Sequence, residues 1–118
     1  IGSFVANANA DGPFIPTINS LGVPIQPVWV LFKNASSGST NWQLFDTARD
    51  PYNSTDQRLF PNDSSAEGGS GAIDIDTGGV KIRNASYDYN SSAGNTITYM
   101  TIGTPIIDTD GKIIAGKL

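Results

Sequence analysis

The sequence predicts an all-β fold, an antiparallel β-sandwich of jelly-roll-like character with little or no helix, and three observations carry that prediction. No window of 11 or more residues places apolar side chains at helical spacing without Gly, Pro or clustered Ser and Asn interrupting it. Short runs with apolar side chains at every second position recur instead, and turn-forming residues separate them every 8–12 residues or so. Charge is sparse, 15% of residues, so solubility comes from Ser, Thr, Asn and Gly.

In chain order, Val28-Trp-Val-Leu-Phe32 is a β-branched and aromatic run opened by Pro27 and closed by Lys33-Asn34. It reads as a strand buried on both faces, with Trp29 in the core. Trp42-Gln-Leu-Phe45 follows a Ser/Thr/Asn/Gly loop and should pair with it antiparallel. Thr40–Arg49 and Asp56–Leu59 are the best helical stretches, and both are too short to carry a fold. Asn53–Gly71 reads as a surface loop whose Leu59-Phe60 tucks back under the sheet. Ile73-Asp-Ile75-Asp76, a Thr77-Gly78-Gly79 turn and Val80-Lys-Ile82-Arg83 form the cleanest hairpin, isoleucine and valine inward and charges outward. Tyr87-Asp-Tyr89 and Ile97–Ile102 alternate likewise. Ile106–Thr109 and Lys112–Ala115 flank Asp110-Gly111, a dipeptide suited to a type I′ turn. The 118 residues make one domain, 1–118, a module or fragment of a longer chain, with 103–118 as a C-terminal hairpin extension.

Composition removes several function classes. Without cysteine or histidine there are no disulfides, thiolate or imidazole metal sites, Cys–His nucleophiles or Ser–His–Asp triads. Seven basic against eleven acidic residues give a net charge of −4, the wrong sign for nucleic acid. The longest apolar stretch is five residues, against about 20 for a membrane-spanning helix, so membrane insertion is not expected. Neither a cofactor nor a metal is expected.

Carboxylates remain as catalytic candidates. Asp74 and Asp76 share one strand face about 6–7 Å apart, which raises glycoside hydrolysis; the simpler reading is the solvated side of an amphipathic strand. Glu67, the sole glutamate, sits in a Ser/Gly loop with nothing to desolvate it. Asp108-x-Asp110-Gly111 begins like a calcium loop but lacks the later ligands, and Asp11, Asp63 and Asp88 stand in loops that could hold calcium jointly. Trp42, Tyr52, Tyr87 and Tyr89 border loops and are the candidates for contact with a glycan. Asp46 and Arg49, three apart at a strand end before Asp50-Pro51, read as a structural ion pair. Asn34, Asn53, Asn62, Asn84 and Asn90 each begin an Asn-x-Ser/Thr sequon, all in expected loops.

Several segments, in order, resemble a domain of tailed-phage virion proteins of the tail and tail-fibre type. They are Gly2-Ser-Phe4, Asn7-Ala-Asn9-Ala-Asp11-Gly12-Pro13-Phe14, Pro27-Val-Trp29-Val-Leu-Phe-Lys33, Trp42-Gln-Leu-Phe-Asp46-Thr-Ala-Arg49, Leu59-Phe-Pro61-Asn62, Gly79-Val-Lys81-Ile-Arg83 and Asn90-Ser-Ser-Ala-Gly94-Asn-Thr-Ile-Thr-Tyr99-Met100. The resemblance spans about residues 2–105. Gly79-Val80 stands where that family usually has Gly-Phe, and the turn before Pro27 is rebuilt. What the resemblance implies is a non-enzymatic β module on the virion surface, in a tail fibre, head fibre or capsid decoration. Its partners would be other virion proteins and further copies of itself. A carbohydrate-binding module for host attachment and an interfacial glycan depolymerase are the alternatives.

Overall fold

The computed structural model describes residues 1–107, so the second strand of the expected C-terminal hairpin and the Asp108–Asp110 turn lie outside the described residues. Seven strands form: β1 (Gly2–Val5), β2 (Phe14–Pro16), β3 (Ile25–Asn34), β4 (Gln43–Asp46), β5 (Ile73–Asp76), β6 (Gly79–Ile82) and β7 (Thr96–Pro105). They make two antiparallel sheets, a four-stranded one in the order β1-β7-β3-β4 and a three-stranded one in the order β2-β6-β5. The β-sandwich expected from the alternation is what forms, and no helix occurs among the described residues.

Between the sheets lies one core. Val30, Phe32, Phe45 and Ile97 of the first sheet meet Ile15, Ile73, Ile75, Val80 and Ile82 of the second, with Ala6 and Tyr89. Each such side chain removed from water contributes about 1.5–3 kcal/mol, which a chain without disulfides needs. Phe32 stacks on Tyr89 with centroids 5.1 Å apart, and Phe45 meets the same ring edge-on at 5.8 Å. Val80 is fully buried in this packing.

The β5–β6 hairpin forms where its alternation places it, with Gly78 at φ +77° in the turn. β3 runs longer than the apolar run alone, and Pro27 lies inside it. A proline in a central strand lacks a ladder donor, and here the register shifts between Pro27 and Trp29. Gly103 pairs with Pro27 across this irregularity, and a Cβ at Gly103 would stand 1.9 Å from the Gln26 carbonyl oxygen.

Asn53–Gly71 is not simply a surface loop. Thr55 exchanges backbone hydrogen bonds with Ile73 at the edge of β5, and four residues later Leu59 does the same with Leu44 at the edge of β4. The segment thus closes one side of the sandwich. Leu59 projects outward rather than tucking under, because its partner Leu44 also faces outward; Phe60 is half-buried near Arg58.

Tyr87-Asp-Tyr89 is a turn and not a strand. Its alternation is overridden by hydrogen bonds at both ends. The Asn84 Oδ1 accepts from the backbone amides of Ser86 and Tyr87 (both 3.3 Å), and the Asn90 amide donates to the Tyr87 carbonyl at 2.8 Å.

Candidate interaction surface

Pairing register decides which side chains line each outer face. On the second sheet, Asp74 and Asp76 alternate with the buried isoleucines of β5 and Lys81 lies opposite Asp74. Asp74 Oδ2 accepts from Arg83 Nε at 2.6 Å, and Lys81 Nζ donates to Asp11 Oδ1 at 2.7 Å. That hydrogen bond with Lys81, and then its positive charge, holds the exposed Asp11 carboxyl below the ordinary aspartate range. This face is ionic.

The first sheet is the opposite. Leu59, Leu44, Leu31 and Met100 are successive partners across four segments, so all project to one side. They form an apolar row across the outer face, and Trp29 and Ile102 make a second row beside it. Met100 is 39% and Ile102 50% exposed, whereas Trp29, Leu31 and Leu44 are half-buried. The β3 run is therefore buried on one face only, and Trp29 is not a core residue: Val30 and Phe32 point between the sheets, which sends Trp29 and Leu31 out. Val28, beside the register shift, is exposed as well.

Charges bordering this face already have hydrogen-bond partners. The Lys33 ammonium donates to the Asn34 and Ser37 carbonyls (3.0 Å each) and to Thr40 Oγ1 (2.7 Å). Asp46 accepts from Arg49 through the backbone amide (2.8 Å) and Nε (2.6 Å), the ion pair expected at this strand end. Burial alone would raise the Asp46 carboxyl, but the hydrogen bonds and charge of Arg49 outweigh it and the net shift is downward. Arg49 also binds Glu67, so the loop glutamate is tied to a cation.

The four aromatic candidates do not converge. Tyr89 is 1% exposed and cannot meet a glycan; its hydroxyl donates to the Gly71 carbonyl, and burial pushes its ionisation upward, only partly offset by a hydrogen bond from Asn84. Tyr87 is half-buried beneath Arg58. Tyr52 is exposed in the loop after β4, whereas Trp42 precedes that strand. Trp42 alone has a polar fringe. Its amide donates to Asn62 Oδ1 (2.8 Å), Asn62 donates to Asn41 Oδ1 (3.0 Å), and Asn41 reaches Asp63 and Asp88. Among the described residues no three acidic groups converge on a cation position.

Three of the five sequons are structural. Asn34, Asn84 and Asn90 are buried rather than displayed in loops. Asn34 donates to the Asp88 carbonyl (3.0 Å) while its Oδ1 accepts from the Ser36 amide two residues on (2.9 Å). Asn84 donates to the Tyr89 hydroxyl at 2.7 Å. Asn90 accepts from the Asn7 amide at 2.9 Å and donates to the carbonyls of Asn9 (2.9 Å) and Asn84 (2.7 Å). Asn7 and Asn9 each accept from the amide two residues on. An Asn that folds back on residue i+2 is commonly followed by small polar residues, which is why turn chemistry produces the sequon pattern here.

Sequence reasoning also missed Arg58, 8% exposed, which donates to Gln43 Oε1 (3.0 Å) and to the Gly69 carbonyl (3.1 Å). An open depression of about 300 Å³ lies at one end of the sandwich, lined by Ile1, Ile18, Ile25, Thr101, Ile102 and Pro105 among others.

Fold and surface together define a β-sandwich module with one ionic and one apolar outer face. Residues 1–104 match the family model described as a domain of unknown function, DUF7483, and the chain belongs to that family. Neither a functionally curated protein nor a solved structure gives a match.

Proposed function

We propose that this chain is a non-enzymatic structural module of a tailed-phage particle, working by packing its apolar sheet face against other protein subunits. The contrast between the two outer faces carries the reading. A face crossed by Leu59, Leu44, Leu31, Met100, Trp29 and Ile102 is costly to leave in water, whereas the opposite face, with Asp74, Arg83, Lys81 and Asp11, is suited to it. The resemblance of the ordered segments to tailed-phage virion domains supports the particle context. Mass spectrometry of purified particles of the source virus tests it. The chain should be present at a fixed copy number, and Leu31→Lys should reduce its incorporation; absence of the chain from particles overturns the reading.

One observation favours glycan recognition as a second reading. Trp42 is an exposed aromatic platform beside Asn41, Asn62, Asp63 and Asp88, the groups that grip sugar hydroxyls. A glycan array, with and without calcium, should show binding that Trp42→Ala removes; a silent array rejects it.

A further inference from the structure

We infer that the outer face of the four-stranded sheet is the contact with a second copy of this chain, the two sheets stacked face to face about a two-fold axis. This rests on the packing reading and names the partner. Three features of the face argue for a copy.

Size is the first. β3 and β7 have ten residues each, about 33 Å at the strand rise, and β1 and β4 beside them have four each, about 13 Å. At the interstrand spacing the four strands cover about 450 Å² on each partner, the size of a small, reversible protein–protein contact.

Charge is the second. Two copies of a chain of net charge −4 repel wherever their acids face one another. Asp46 is the only described acid that projects from the outer face of this sheet, and Arg49 neutralises it. Lys33 has no carboxylate partner among the described residues, but three oxygens already take its three N–H donors. Stacking this face leaves no donor of Lys33 and no charge of Asp46 without a partner, which lowers the desolvation penalty that opposes buried ions.

Shape is the third. A two-fold axis along the strands between β3 and β7 sets Leu31 against the partner's Met100 and Trp29 against the partner's Ile102, since Leu31 pairs with Met100 and Trp29 with Ile102 within each sheet. Each contact then matches a bulky side chain with a branched or adaptable one, and methionine is the side chain that best fills an irregular gap. Aligned face-to-face packing of two twisted sheets is a common β arrangement.

The test uses the full chain in sedimentation equilibrium, with single-cysteine variants made clean by the absence of native cysteine. The wild type should sediment as a dimer at tens of micromolar. Leu31→Lys and Met100→Glu, both on the outer face, should each weaken association at least about tenfold while leaving the urea unfolding midpoint of the monomer within error. Met100→Cys treated with a short bis-maleimide should give a covalent dimer, and Asp76→Cys, on the opposite sheet, should not. A wild type that stays monomeric at millimolar concentration overturns the proposal, as does a dimer indifferent to both outer-face substitutions. If the monomeric protein is nonetheless found in particles and Leu31→Lys is excluded from them, the second copy is rejected and the packing reading stands with another subunit as partner.

Discussion

The guanidinium carbon of Arg58 stands 3.7 Å from the centroid of the Tyr87 ring, and among the described residues no carboxylate pairs with this buried cation. Its compensation is the ring face, the Gln43 carboxamide and the Gly69 carbonyl, while its Nε finds no partner among those residues. Stacking of this kind contributes about 2 kcal/mol when desolvated. Tyr87→Ala should therefore destabilise the fold by about 2–3 kcal/mol. Arg58→Lys should cost a comparable amount, because an ammonium has neither the planar face nor the fork of donors. Urea unfolding of the two variants measures both.

Asn90 makes a larger prediction for a smaller side chain. Its carboxamide joins Asn7, Asn9 and Asn84, and removing it strands a buried amide and two carbonyls. Asn90→Ala should cost about 2–4 kcal/mol, given about 1–3 kcal/mol for each unsatisfied buried group and partial relaxation. Asn62→Ala, at an exposed position, should cost under about 1 kcal/mol.

Glycan occupancy follows from the same burial. Folded protein secreted from a glycosylating host should carry N-linked sugar chiefly at Asn62, because the amides of Asn34, Asn84 and Asn90 are inside and the Asn53 carboxamide is held in two hydrogen bonds to the Ile75 backbone. Peptide mapping reads this directly, and folded protein modified at Asn90 would contradict the structure.

With no histidine, no side chain has an ordinary pKa between about 5 and 8, and stability should be nearly flat there. The acid limb is set by depressed carboxyls. Asp46 and Asp11 titrate below the ordinary 3.8 when folded, so their stabilisation is present above that value and is lost as pH falls through their folded pKa. The urea midpoint should drop below about pH 4, and Asp46→Asn, less stable at neutral pH, should show a shallower drop.

Two glycines make opposite predictions. A Cβ on Gly103 would strike the Gln26 carbonyl, which is backbone and cannot yield; Gly103→Ala should cost about 2–3 kcal/mol or more. A Cβ on Gly79 would strike the Phe14 ring, exposed at the sheet edge and free to swing aside, so Gly79→Ala should cost under about 1 kcal/mol. Thermal unfolding distinguishes them.

The sandwich was legible because its signals are local. The β5–β6 hairpin announces itself through four alternating residues, a turn and four more, and β7 through its own alternation. Trp29 was misplaced because an unbroken apolar run looks the same whether both faces are buried or one is apolar and outward. Tyr87 and Tyr89 have the spacing of a strand, but the Asn84 carboxamide and the Asn90 backbone amide hold the backbone between them in a turn. The apolar face itself is invisible in sequence. Leu59, Leu44, Leu31 and Met100 come from four separate segments and line up only once register is known. Asn90 and Asn7 are 83 residues apart, and no local pattern joins them.

The network of asparagines has a consequence for where such a chain can live. Small proteins of this size commonly use disulfides to fasten distant segments, and those fasteners form only in an oxidising compartment. Here the Asn90 carboxamide ties the β1–β2 linker to the turn before β7, and Asn34 ties the end of β3 to the same turn. Carboxamide hydrogen bonds need no oxidant, no metal and no particular protonation state near neutrality. A domain fastened this way can reach its final form in a reducing or an oxidising medium alike.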